Sequence, residues 1–206
     1  MRQINKKKRE NAMKNQALVV IDIQNDITKN YKEIIENINR AIDWAAANDM
    51  HIVYIRHHNI TAGTKTFKPD THGAELVSDM KVISENIFTK TKGNALTSEG
   101  FSSFIDQNGI REFFIAGADA VACVKSTCYN MSKAGYAVHV LSDCITSYDK
   151  RKIDEMLRYY ESKGCMVEKL SEAMEACSDQ ENETSALKKE EIPIALPLPG
   201  TTIFSK

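Results

Sequence analysis

The sequence predicts an α/β fold of three layers, a parallel β-sheet covered by helices on both faces. Three observations carry this. Short β-branched apolar runs alternate along the chain with segments of helical periodicity, the pattern of successive βαβ units. The first run, ALVVIDI at 17–23, is apolar almost throughout rather than at every second position, as suits a strand buried on both faces. Gly135 stands where a left-handed residue would end a helix, and Gly164 lies close to the end of another.

The elements follow in order. Ile34, Ile38, Ala41 or Ile42, and Ala45 recur at i, i+4, i+7 and i+11, one stripe of a helix. HIVYIRH (51–57) is the second strand, and residues 59–72, rich in Thr, Gly, Lys and Pro, form a long loop. Strands follow at 86–89 (NIFT) and 112–117 (EFFIAG), with helical material between them. A helix over 123–134, a strand over 137–143, a helix over 150–163 and a last strand over 165–170 complete the series. The 206 residues suit one core. It spans 17–177, after a basic lead-in at 1–16 and before a polar linker and proline-containing arm at 178–206.

Composition excludes several classes of partner. A formal net charge of −1 gives no global field favouring nucleic acid or a membrane surface. No apolar run approaches the roughly 18 residues that span a bilayer. The N-terminal Lys/Arg cluster reads as a solvated lead-in; as a nucleic-acid contact it lacks interleaved aromatics. Five cysteines, an odd number without a C-x-x-C spacing, argue against a disulfide framework or a structural zinc site. Reduced thiols in a cytoplasmic protein are the simpler reading. The apolar tail IPIALPLPGTTIF leads us to expect a homo-oligomer.

In parallel sheets of this kind, ligands bind beyond the carboxyl ends of the strands. Three reactive residues fall there: Asp22 at the end of the first strand, Lys90 just after another, Cys123 in the turn after a third. A cysteine opening a helix meets free N–H groups and partial positive charge, which stabilise a thiolate and could hold an oxyanion. Equally, Cys123 could be a small core residue. Burial at the mouth of an apolar strand would raise the pKa of Asp22 towards that of a general base, or Asp22 could cap the next segment. Lys90 could stabilise developing negative charge or lie exposed. Cys128, Cys144, Cys165 and Cys177 lack a comparable placement and read as structural.

Taken together, these residues resemble the isochorismatase-like hydrolases, which carry an Asp-Lys-Cys triad on a Rossmann-like sheet. The likeness covers roughly 17–170. LVVIDIQND is similar to the family's strand ending in Asp-x-Gln-Asn-Asp. HGAELVSDM followed by IFTKTKGNAL is similar to its Gly-Ala-Glu segment and lysine with Asn-Ala beyond. IAGADAVACVKSTCYNMSKAGYAVHVLSDCITS is similar to its glycine turn, Cys-Val, Thr, Gly-Tyr-x-Val and Asp series. The resemblance implies Cys123 as nucleophile, Asp22 as general base and Lys90 as electrostatic helper. It also implies a cis peptide at Ala118–Asp119, with the backbone N–H groups of Asp119 and Cys123 as the oxyanion hole. The implied activity is hydrolysis of a small amide, ureide or related C–N bond through a thioester, with no organic cofactor and a dimer or tetramer as the assembly. The alternative is an inactive scaffold or regulatory protein of the same fold; nicotinamidase and isochorismatase proper are further readings.

Departures from the family pattern matter too. Asp119, Ala120 and Val121 replace its usual residues, so Asp119 either recognises a cationic or amide-bearing substrate or caps the helix. Leu96 stands where an aromatic residue is usual. The metal site of nicotinamidases needs Asp-x-His, whereas here His57 and His58 are adjacent and point to opposite sides of an extended segment. We therefore expect no metal. Gln24, Tyr54, Asn94, Asp119 and Thr127 are candidates for the substrate pocket by proximity to the motifs, with a purely structural role equally open for each.

Overall fold

The computed structural model describes residues 15–178. Its strands are β1 (Gln16–Ile21), β2 (His51–His57), β3 (Ile87–Lys90), β4 (Glu112–Gly117), β5 (Ala137–Ile145) and β6 (Met166–Glu168). They form one sheet in the order β3-β2-β1-β4-β5-β6, and every neighbouring pair is parallel. The helices are α1 (Asn25–Thr28), α2 (Ile35–Ala47), α3 (Glu99–Asn108), α4 (Cys123–Lys133) and α5 (Ile153–Ser162), followed by a helix at 170–178. The basic lead-in as far as residue 14, and the linker and arm from residue 179, lie outside the described residues. Among the described residues no helix is long and apolar enough to cross a membrane.

The run 17–23 feeds two cores, as a doubly covered strand must. Leu18 and Val20 pack on Ile35, Ile38, Ile42 and Ala45 of α2 and on Leu170 and Ala173. Ala17, Val19 and Ile21 face the other way, onto Phe101 and Ile105 of α3, Val124 and Met131 of α4, and Met156 and Tyr160 of α5. Period-two alternation thus assigns neighbouring residues of one strand to opposite layers.

Some boundaries differ from the sequence reading. The first strand stops at Ile21, because Asp22 takes a left-handed φ of 54° and leads the chain out of the sheet. Lys90 is the last residue of β3 instead of following it. The helix expected over 150–163 opens with a tighter turn at Lys150–Lys152, where the Asp149 side chain accepts from the Arg151 N–H. The helix at 170–178 was not foreseen, although Leu170, Ala173, Met174 and Cys177 have helical spacing and meet the α2 core. At its start the Lys169 N–H donates to Glu172 Oε2 at 2.7 Å, one half of a capping box.

The chain builds outward from β1 to β3, then returns to lay β4 against β1. Strand order reverses there, and such a crevice is where ligands bind in open α/β sheets. Gly117 makes the junction close. It pairs in register with Ile21, its φ is 117°, and a Cβ on it would lie 2.2 Å from the Ile21 carbonyl oxygen. Neither clash nor backbone can relax without parting β1 from β4. Gly117→Ala is therefore expected to lower unfolding free energy by at least about 3 kcal/mol. Urea titration checks this; a midpoint equal to that of the parent protein would contradict the packing described.

Candidate active site

Asp22, Lys90 and Cys123 converge at the carboxyl edge of the sheet. β1 delivers Asp22, which is buried, and its backbone N–H donates to the Ile55 carbonyl of β2 at 2.9 Å. β3 delivers Lys90, whose side chain is fully buried. Cys123 opens α4 and is partly exposed. The Lys90 Nζ donates to Asp22 Oδ2 at 2.7 Å and to Cys123 Sγ at 3.3 Å. A buried ammonium is tolerated because these partners compensate its lost hydration.

Burial raises the pKa of Asp22, and the Lys90 ammonium draws it back. Burial, and next the Asp22 carboxylate, push the Cys123 thiol up to about 12, with Lys90 opposing them. The α4 N-terminus was expected to lower this pKa; desolvation and the neighbouring negative charge push the other way. Asp22 Oδ1 is buried and has no hydrogen-bond partner among the described residues. A carboxylate oxygen left free by Lys90, beside a thiol held above its ordinary pKa, is the arrangement of a base and its acid.

The turn from β4 into α4 carries the backbone donors. The Ala118–Asp119 peptide is cis. Ala118 N–H donates to Ile21 O at 2.9 Å, Ala120 N–H to Thr146 O at 2.9 Å, and Val121 N–H to Asp119 Oδ1 at 2.8 Å. Ala122 and Val124 both donate to the Asp119 carbonyl. Among the described residues, the N–H groups of Asp119 and Cys123 remain without an acceptor. They are the two that the resemblance implies as an oxyanion hole.

The Asp119 side chain is spoken for. Besides Val121 N–H, it accepts from the Tyr31 hydroxyl at 2.9 Å and the Tyr148 N–H at 2.9 Å, both on Oδ2. It pins the turn to two flanking loops and does not cap α4, whose N-cap, Ala122, is met by no side chain. Its partner Tyr31 has its own pKa raised by burial and by this carboxylate.

Three pocket candidates turn out to belong to the framework. Gln24 spends its amide on main chain, donating to His57 O at 3.0 Å and Ala74 O at 2.7 Å and accepting from His57 N–H at 2.8 Å. Tyr54 is buried in the α2-side core and its hydroxyl bridges Lys81 O and Ile83 N–H. Thr127 is buried, accepts from Ala95 N–H at 3.0 Å and ties α4 to the segment after β3. Buried polar groups must be paired, and these are paired with backbone. Asn94 is partly exposed; its side-chain oxygen accepts from Leu96 N–H, capping the turn at Ala95–Thr97.

Sequence reasoning did not bring His57 into the site. It ends β2 in register with Lys90, and its Nδ1 lies 3.2 Å from the Lys90 Nζ. Burial, and next Lys90, lower its pKa. Asp22, His57 and Cys123 offer carboxylate, imidazole and sulfur atoms within 4.8 Å of one another, a spacing that could hold a metal ion. The Lys90 ammonium, however, is within hydrogen-bond range of all three. The cation of this cluster is covalently attached to the chain, and a resident divalent ion does not fit without expelling it.

Comparison with known proteins places these observations. The domain family described as Isochorismatase domain matches residues 16–172. A probable inactive nicotinamidase of Arabidopsis thaliana is 26% identical over 156 residues, covering 63% of this chain and 80% of its own. Among solved structures, an isochorismatase family protein from Desulfovibrio vulgaris has a TM-score of 0.74 at 16% identity, covering 80% of this chain and 98% of its own. The N-carbamoylsarcosine amidase of Thermoplasma acidophilum has a TM-score of 0.66 at 18% identity, covering 75% and 96%.

Proposed function

Because the chain belongs to the isochorismatase family of hydrolases, we propose that it cleaves a small amide, ureide or related C–N bond through a thioester on Cys123. The observation that carries this reading is the shared ammonium: Lys90 touches both Asp22 and Cys123, while Asp22 Oδ1 stays unclaimed.

The chemistry follows from those groups. As Cys123 sulfur attacks the carbonyl carbon, its proton passes to Asp22. The carbonyl oxygen gains the electron pair and is held by the Asp119 and Cys123 N–H groups, with Lys90 offsetting the negative charge. The oxyanion collapses, the C–N bond breaks, and Asp22 returns the proton to the departing nitrogen. Water then attacks the thioester, giving its proton to Asp22; the acid leaves and the thiol is restored. A neutral resting thiol suits this cycle, since proton transfer and attack occur together.

The named relative in Arabidopsis keeps an inactive scaffold in view as the other reading. Acid quenching of the protein during incubation with a panel of small primary amides and ureides separates the two. A mass increase on the Cys123 peptide equal to the acyl group, disappearing as acid accumulates, is the expected result. No adduct and no product across the panel would favour the scaffold.

A further inference from the structure

His57 is bound to the site by an accounting of protons. An ammonium has three N–H donors and no acceptor. Those of Lys90 have three partners within range: Asp22 Oδ2 at 2.7 Å, His57 Nδ1 at 3.2 Å and Cys123 Sγ at 3.3 Å. Nδ1 must therefore present its lone pair, which leaves the imidazole neutral with its proton on Nε2. Behind the ring, Gln24 holds the His57 backbone on both its N–H and its carbonyl, and Phe67 meets the imidazole edge-on at 5.6 Å.

We propose that His57 is a positioning residue, a neutral Nε2–H imidazole whose Nδ1 takes the third N–H of Lys90 and so keeps the ammonium shared between Asp22 and Cys123. The proposal deepens the thioester reading and rests on it only for its effect on turnover. Lys90 sits on a long side chain reaching from β3 towards a crevice between β1 and β4. With only the carboxylate and the sulfur as partners, the ammonium would be drawn to the full charge of Asp22 and away from the sulfur. A neutral acceptor on the intervening strand counters that pull without adding charge. The surroundings agree: burial and Lys90 both disfavour a second positive charge on this ring, against the opposing pull of Asp22. The titratable groups facing it are Lys90, Asp22, Cys123 and His58, with Arg56 and Asp70 beyond His58 and Asp26 behind Phe67.

The test uses the full chain and needs no substrate for its first part. Iodoacetamide labelling of Cys123 is followed across pH in the parent protein, His57→Phe and His57→Asn. Phe keeps a ring but offers no acceptor, whereas the Asn carbonyl can take the place of Nδ1. Losing a hydrogen bond to a charged group should slow labelling at pH 8 and hydrolysis by roughly ten-fold or more in His57→Phe, and Asn should recover most of both. Nitrogen shifts of the His57 ring in the parent protein should show Nε2 protonated and Nδ1 bare between about pH 6 and 8. A protonated Nδ1, unchanged labelling in His57→Phe, or an Asn variant as slow as Phe would each overturn the proposal. If the labelling pattern appears but no amide is turned over by the parent protein, the positioning role stands and the hydrolytic reading fails.

Discussion

Asp22→Asn is expected to make Cys123 easier to alkylate while nearly abolishing hydrolysis. The two effects have opposite signs for a physical reason. The Asp22 carboxylate is one of the groups that push the thiol pKa up, to about 12. Replacing it with a neutral amide removes that repulsion and leaves the Lys90 ammonium beside the sulfur, so the thiol pKa falls. Well below the pKa, thiolate fraction rises ten-fold for each unit of lowering, and alkylation at pH 8 should accelerate accordingly. Hydrolysis needs something else, a group that accepts the thiol proton and later delivers it to the leaving nitrogen. An amide does neither, and loss of a general base typically lowers rate by about 100- to 10,000-fold. Parallel iodoacetamide and turnover assays decide the matter. Slower alkylation in Asp22→Asn would mean that the carboxylate supports the thiolate instead of opposing it.

Lys90→Met is expected to cost more in stability than any other change in the site. Its ammonium is fully buried beside a carboxylate that is itself nearly so. Removing one partner of a buried pair leaves an uncompensated charge, typically a loss of about 3–5 kcal/mol. The pH dependence has a definite sign. Burial raises the folded-state pKa of Asp22 and Lys90 opposes that rise, so without Lys90 it goes higher still. A carboxyl whose folded pKa lies above its unfolded value contributes stability at low pH that is lost as pH rises through the folded pKa. The deficit of Lys90→Met should therefore shrink as pH falls towards the unfolded carboxyl range. Adding Asp22→Asn should return most of the lost stability at neutral pH, since a buried pair replaced on both sides is often neutral, but no activity. Urea titrations at two pH values test both statements. A double variant as unstable as Lys90→Met would place the cost in packing around residue 90.

The sheet and the triad were legible in the chain because they depend on local signals. Strand runs, helical stripes and the glycines at 135 and 164 report local periodicity, and Gly135 and Gly164 do adopt φ of 85° and 81°. Asp22, Lys90 and Cys123 were found through motifs at strand ends. His57 was not, for a reason of register. Alternation says that one of His57 and His58 faces the site, but which one depends on how β2 pairs with β3, and about thirty residues of loop separate those strands. Gln24 and Thr127 were pocket candidates because they lie near the motifs, with a structural role open for both. Near a buried site, though, backbone groups also need partners, and these side chains supply them. The helix at 170–178 carried a readable stripe, but the polar run beginning at residue 178 hid its end.

Gly117 and Ile21 lie side by side where β4 returns to β1, and this seam has a consequence for how reactivity arises. The residues that meet there are far apart along the chain: Lys90 is 68 positions from Asp22 and 33 from Cys123. No local segment can bring them together, and closing such loops is entropically costly until the strands between them are in place. The environment of the Cys123 sulfur therefore exists only in the assembled sheet. A chain in which β4 has yet to dock carries a cysteine with neither the Asp22 carboxylate nor the Lys90 ammonium beside it, and both partners reach the sulfur only as the fold closes around it.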